Sequence, residues 1–165
     1  MRGLLLGAVC ALGLVSLPAQ AQDYTFSTTS LTPEAAVIAA QAALESCRDS
    51  GYQVAVAVTD RHGVPLALVR DRFAGPHSPE TATRKAYTAA SFNMDTTALG
   101  LETQADKAAS GIRHVTGVLA LGGGMPIQAA GSLVGAIGVS GAPGAEADDG
   151  CAQAGIDSIQ DELDF

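Results

Sequence analysis

Residues 121–155 read LGGGMPIQAAGSLVGAIGVSGAPGAEADDGCAQAG. Three consecutive glycines lead into two short apolar runs, residues 127–129 and 133–140. A turn at Ala130, Gly131 and Ser132 divides them. Glycine supplies backbone angles and close approaches that other residues resist, and hairpin turns need such angles. The pattern predicts a tightly packed β-hairpin. A second loop, residues 141–144, delivers the chain into an acidic segment. Residues 145–163 read as a closing helix, whose Glu146, Asp148 and Asp149 suit the positive end of its dipole.

Upstream of the hairpin, residues 112–121 read as a strand, although Gly117 weakens the pattern. Residues 96–109 read as a helix capped by Asp95 and ended by Gly111. Ser78-Pro79-Glu80 opens another helix that runs to about Phe92, with proline at a first-turn position and an acid against the dipole. Residues 54–58, VAVAV, read as a buried strand. The turn signal Asp60-Arg61-His62-Gly63 joins it to a second strand over residues 64–70. Pro65 points to an edge position or a bulge there. Thr32-Pro33-Glu34 opens the first helix, with Val37, Ala40, Leu44 and Cys47 on one face and Gly51 as its stop. Strands grouped in hairpins, without βαβ alternation, imply an α+β fold: an antiparallel sheet with helices packed on it.

The first 21 of the 165 residues read as an export signal. Arg2 precedes an apolar run over residues 4–17, and Ala19-Gln20-Ala21 is a small-x-small cleavage site. Residues 1–21 are therefore expected to be removed, with Cys10 among them. Residues 22–31 form a polar lead-in, and residues 32–165 form one domain. The apolar run is shorter than the roughly 20 residues that span a bilayer, and no other segment is a candidate span. The expected location is periplasmic or secreted. The formal net charge of −8 makes nucleic acid and anionic lipid poor partners. Seven of the nine Lys and Arg residues lie between Arg61 and Arg113, so an anion site belongs in the middle of the chain.

Cys47 and Cys151 survive cleavage. In an oxidising compartment an even pair suggests a disulfide, and two separate buried thiols are the alternative. Were the first and last helices antiparallel on one face of the sheet, the two cysteines would meet at their adjoining ends.

Three stretches carry a family resemblance: VAVAVTDRHGVPLALVRD (54–71), RKAYTAASF (84–92) and the glycine-rich stretch from residue 122 to 155. They closely resemble the GlcG/HbpS-type haem-binding family, also called the haem-degrading domain family, over roughly residues 31–159. The resemblance implies a profilin-like α+β domain and homo-oligomers. It also implies haem or a related tetrapyrrole as ligand. Export fits the secreted branch of that family.

A haem site needs an apolar slot, donors for the propionates and, optionally, an axial ligand. His77 is the first choice for iron on local chemistry. It stands in Gly75-Pro76-His77-Ser78-Pro79, stiffened by two prolines; a local loop hydrogen bond is the plainer role. His114, alternating with Ile112 and Thr116, ranks second, with packing as the alternative. His62 reads as a solvated turn residue. Arg84 suits a propionate, because guanidinium matches carboxylate geometry, and it shares a helix face with Tyr87 and Thr88. A solvated face pairing with Glu80 is the alternative for Arg84, and more strongly for Lys85. Tyr87 also reads as a core or oligomer contact, and Met94 and Met125 as gap-fillers.

Other chemistries find little support. The triple glycine lacks the GxxxxGK[ST] pattern of a phosphate loop. Ser140 lacks the GxSxG spacing of a nucleophile elbow. The acids at 146–149 read as a charged helix start more plainly than as a cation site. The expected function is thus an exported haem-binding protein for storage, protection or sensing. The alternatives are a haem-degrading or small-molecule redox enzyme, or an oligomeric scaffold. The last is kept open by an aromatic content of 4% with no Trp.

Overall fold

The computed structural model describes residues 24–163; the expected export signal lies outside them. The elements run α1 (Pro33–Asp49), β1 (Ala55–Asp60), β2 (Pro65–Arg70), α2 (Ser78–Phe92), α3 (Thr96–Glu102), a 3₁₀ segment (Ala108–His114), β3 (Gly124–Ala129), β4 (Ser132–Ser140) and α4 (Ala145–Leu163). The four strands form one sheet in the order β2-β1-β4-β3, every neighbouring pair antiparallel. This is the expected α+β architecture.

The turns follow from their residues. Ala130 and Gly131 both hold positive φ, 47° and 76°, as a two-residue hairpin turn between right-twisted strands requires. Pro65 starts edge strand β2 beside a register shift at Val58/Thr59, so it is at an edge and at a bulge. The Thr32 hydroxyl accepts from the Ala35 N–H and caps α1.

The VAVAV run shows how the sheet is sandwiched. Val54, Val56 and Val58 join Ile127, Val134, Ile137 and Val139 under α1 and α4. Ala55 and Ala57 face the other way, against Ala82 and Ala86 of α2. One face is filled by branched side chains and the other by methyl groups, so α2 lies close to the strands. Gly138 allows the closest approach: a Cβ there would meet the Ala86 nitrogen at 2.6 Å.

α1 and α4 pack together on the valine face, and Cys47 and Cys151 are joined by a disulfide, with Cα atoms 5.5 Å apart. The buried face of α1 is Ala36, Ala39, Ala40, Ala43, Leu44 and Cys47. Val37, expected on that face, is exposed, as is its neighbour Ile38.

Two expected elements are different. α3 ends at Glu102 rather than near Ala109, and Arg113 satisfies the freed carbonyls of Thr103 and Gly100 at that end. Asp95 precedes α3, but its side chain makes no capping bond. The expected strand at 112–121 is a 3₁₀ turn followed by irregular chain. Its backbone is satisfied by α2 side chains instead of a ladder: Thr88 Oγ1 accepts the Leu119 N–H at 2.8 Å, and Arg84 donates to the Val118 carbonyl at 2.9 Å.

Candidate functional site

The site begins with the loop at 71–77 and the start of α2. Asp71 is buried and held by a two-pronged ion pair from Arg48, both contacts 2.8 Å. The hydrogen bond from Arg48 holds the Asp71 carboxyl below the usual carboxylate range, against the opposing effect of burial. This anchors the loop that carries His77. The His77 imidazole is exposed, lies over Gly75, and makes no capping hydrogen bond to α2.

A cleft of about 360 Å³ opens beside His77. Ser78, Thr81 and Lys85 of α2 form one wall, and Ser140, Ala145 and Asp148 form another. Lys85, expected on a solvated helix face, is 1% exposed. Its Nζ donates to the Val139 carbonyl at 2.8 Å and to Asp148 Oδ2 at 2.7 Å. The second oxygen of Asp148 accepts the Ala142 N–H. Burial raises the Asp148 carboxyl pKa, outweighing the bond from Lys85 that lowers it. The pair bridges the α2 layer and the α1/α4 layer past the end of the sheet. Gly123 makes the passage: a Cβ there would lie 2.7 Å from both Lys85 Nζ and Asp148 Cβ. Asp149 fixes this glycine by accepting its N–H at 2.6 Å and takes the Thr97 hydroxyl with its other oxygen.

Ser78 is fully buried, and its Oγ is the sole buried side-chain polar atom among the described residues without a hydrogen-bond partner. Neither Ser78 nor the Lys85–Asp148 pair stands out by motif. The available signal is positional. Ser78, Ala82, Lys85 and Ala89 recur at helical spacing, which puts a lysine within a stripe of small buried residues. Asp148 lies on the same face as Cys151, Ala152 and Gly155.

The other sequence-level candidates are dispersed. Arg84 binds the carbonyls of Gly117 and Val118, and Thr88 is buried between Arg84 O and Leu119 N. The Tyr87 ring lies between Gly63 and Gly117, where a Cβ would reach it at 2.8 and 3.1 Å. These three side chains dock the 117–119 segment and the β1–β2 turn onto α2. His114 is exposed in a separate cleft with Thr103, Gln104 and Arg113. His62 is an exposed turn residue whose N–H donates to Asp60. Among the described residues, no group of three or more His, Cys, Asp or Glu side chains is placed to hold a metal ion.

The family model for haem degrading HbpS-like proteins matches residues 31–157. The chain belongs to the HbpS-like family. A double mutant of HbpS from Streptomyces reticuli superposes with a TM-score of 0.79 at 39% identity, covering 87% of this chain and 97% of that one. The ORFY protein of Klebsiella pneumoniae gives 0.81 at 25% identity, covering 85% and 97%. PduOC, solved as a complex with heme, gives 0.75 at 31% identity, covering 79% and 96%. Comparison with curated proteins gave no match. No helix among the described residues is long and apolar enough to cross a membrane.

Proposed function

We propose that this HbpS-like chain binds haem outside the cytoplasm, as a homo-oligomer, and stores, protects against or senses it. The observation that carries the reading is His77: an exposed imidazole at the rim of a cleft, on a loop anchored by Arg48–Asp71. The heme complex of PduOC supports it by similarity.

The residues suit the group in part. His77 offers a nitrogen for iron and Leu121 an apolar contact at the cleft, while Arg84, the expected propionate donor, is held by the carbonyls of Gly117 and Val118. His77 would hold the iron through an imidazole nitrogen, and haem would supply the iron-centred redox and ligand-binding chemistry. A cleft of this volume sits at the small end of ligand pockets, so one chain covers only part of a tetrapyrrole. A second copy would cover the rest, which couples haem binding to assembly. Export rests on the reading of residues 1–21.

Haemin added to the mature protein is expected to give a saturable Soret shift near one equivalent, with a change in elution volume on a sizing column. A Soret band that stays that of free haemin would refute the reading. The family's description also supports a second reading, haem degradation. Multiple turnovers to a single defined product would establish it, whereas bleaching by reductant alone would not.

A further inference from the structure

The floor of the His77 cleft contains polar groups that an axial ligand does not use. Ser78 Oγ is buried without a protein partner in the wall of this cleft, a condition that ordinarily costs about 1–3 kcal/mol and that an acceptor reaching it would relieve. Lys85 Nζ carries three donors, and two are taken by Val139 and Asp148. One N–H remains on a buried ammonium that lines the same cleft. Two helix starts border the space, Ser78 of α2 and Ala145 of α4, and both bring the positive end of a helix dipole toward it.

The charge balance selects the kind of anion. Asp148 stands 2.7 Å from Lys85 and lines the cleft. A dianion would meet this carboxylate, whereas a monoanion is matched by two helix ends, one hydroxyl and one N–H. The cleft of about 360 Å³ is roomier than a carboxylate alone needs, so its floor would fix the head group and the rest would take the chain of the acid.

We propose that the floor of this cleft binds the carboxylate of a small organic monoacid, with the Ser78 hydroxyl and the remaining Lys85 N–H as its donors. The site shares a cleft with the proposed haem ligand but does not depend on haem. Its residues lie below His77 on the first turns of α2, and its ligand needs no iron.

Calorimetric titration of the purified mature protein with acetate, butyrate and inorganic phosphate tests it. Saturable binding of acetate or butyrate is expected, tighter than that of phosphate. Ser78→Ala should weaken it by about tenfold, the loss of one hydrogen bond to a charged group. That variant should melt no lower than the parent, since the hydroxyl has no partner to lose. His114→Ala, in the separate cleft, should leave acid affinity within about twofold. The proposal is overturned by absence of saturable binding of both acids, by tighter binding of phosphate, or by a Ser78→Ala variant of undiminished affinity. The Soret readout is separate, so failure of haem binding leaves this result interpretable.

Discussion

The two faces of the sheet solve different problems. Under α1 and α4, branched side chains fill the space, and a disulfide ties the two helices. Under α2, alanines and Gly138 bring the helix so close that little apolar volume remains. At its end a lysine of α2 reaches past the sheet to an aspartate of α4, and the cleft opens there. Apolar burial stabilises in proportion to area, whereas a buried ion pair spends much of its attraction on desolvation. The first face holds the domain together, and the second shapes a site.

Removing the disulfide should have the largest effect. Cys47 and Cys151 are 104 residues apart, and a cross-link closing a loop of about 100 residues stabilises by roughly 4.7 kcal/mol in the chain-entropy view. Urea denaturation of the Cys47→Ser/Cys151→Ser variant measures this. A shift below about 1 kcal/mol would mean that valine packing alone secures that face.

On the other face, Lys85→Met should cost about 3–5 kcal/mol by leaving Asp148 buried and unpaired. Adding Asp148→Leu should recover most of the loss. If the double variant stays as unstable as the single one, the pair is itself a source of stability and the contrast between the faces weakens.

Thr88→Val should cost about 1–3 kcal/mol, because it strands the Leu119 N–H that now donates to Thr88 Oγ1. Amide hydrogen exchange should quicken at residues 117–119 more than in β1 or β4. Uniform quickening would contradict the docking role given to α2.

The pH response sharpens the comparison further, since the two buried carboxylates shift in opposite senses. Asp71 is lowered by its bond to Arg48, so its contribution is complete above about pH 4 and is lost as pH falls through the lowered value. Asp148 is raised by burial, so the folded state favours its protonated form and stability declines as pH rises through the raised value. Denaturation midpoints across pH should therefore flatten on the acid side for Asp71→Asn and on the rising side for Asp148→Asn.

The backbone plan was legible where local chemistry is strong. Thr32-Pro33, Ser78-Pro79 and Ala130-Gly131 marked helix starts and a hairpin that the structure contains. The 112–121 segment was misread because alternation reports a half-buried path but not what satisfies the backbone. Arg84 and Thr88 do so from a helix, which period-two patterning does not reveal. Lys85 was misread for a related reason. A charged residue among alanines looks solvated until its partner is found, and Asp148 is 63 residues away in sequence. The pairing of Cys47 with Cys151 came closer, because two helix ends and two thiols constrained each other.

The central claim rests on His77, and the spectrum of bound haem tests it most directly. Haemin should be titrated into the parent protein and into His77→Ala, with Arg84→Ala and His114→Ala as comparisons. The account predicts imidazole-ligated bands in the parent, their loss in His77→Ala alone, and their persistence in the other two. An unchanged spectrum in His77→Ala, or its loss in His114→Ala, would contradict it.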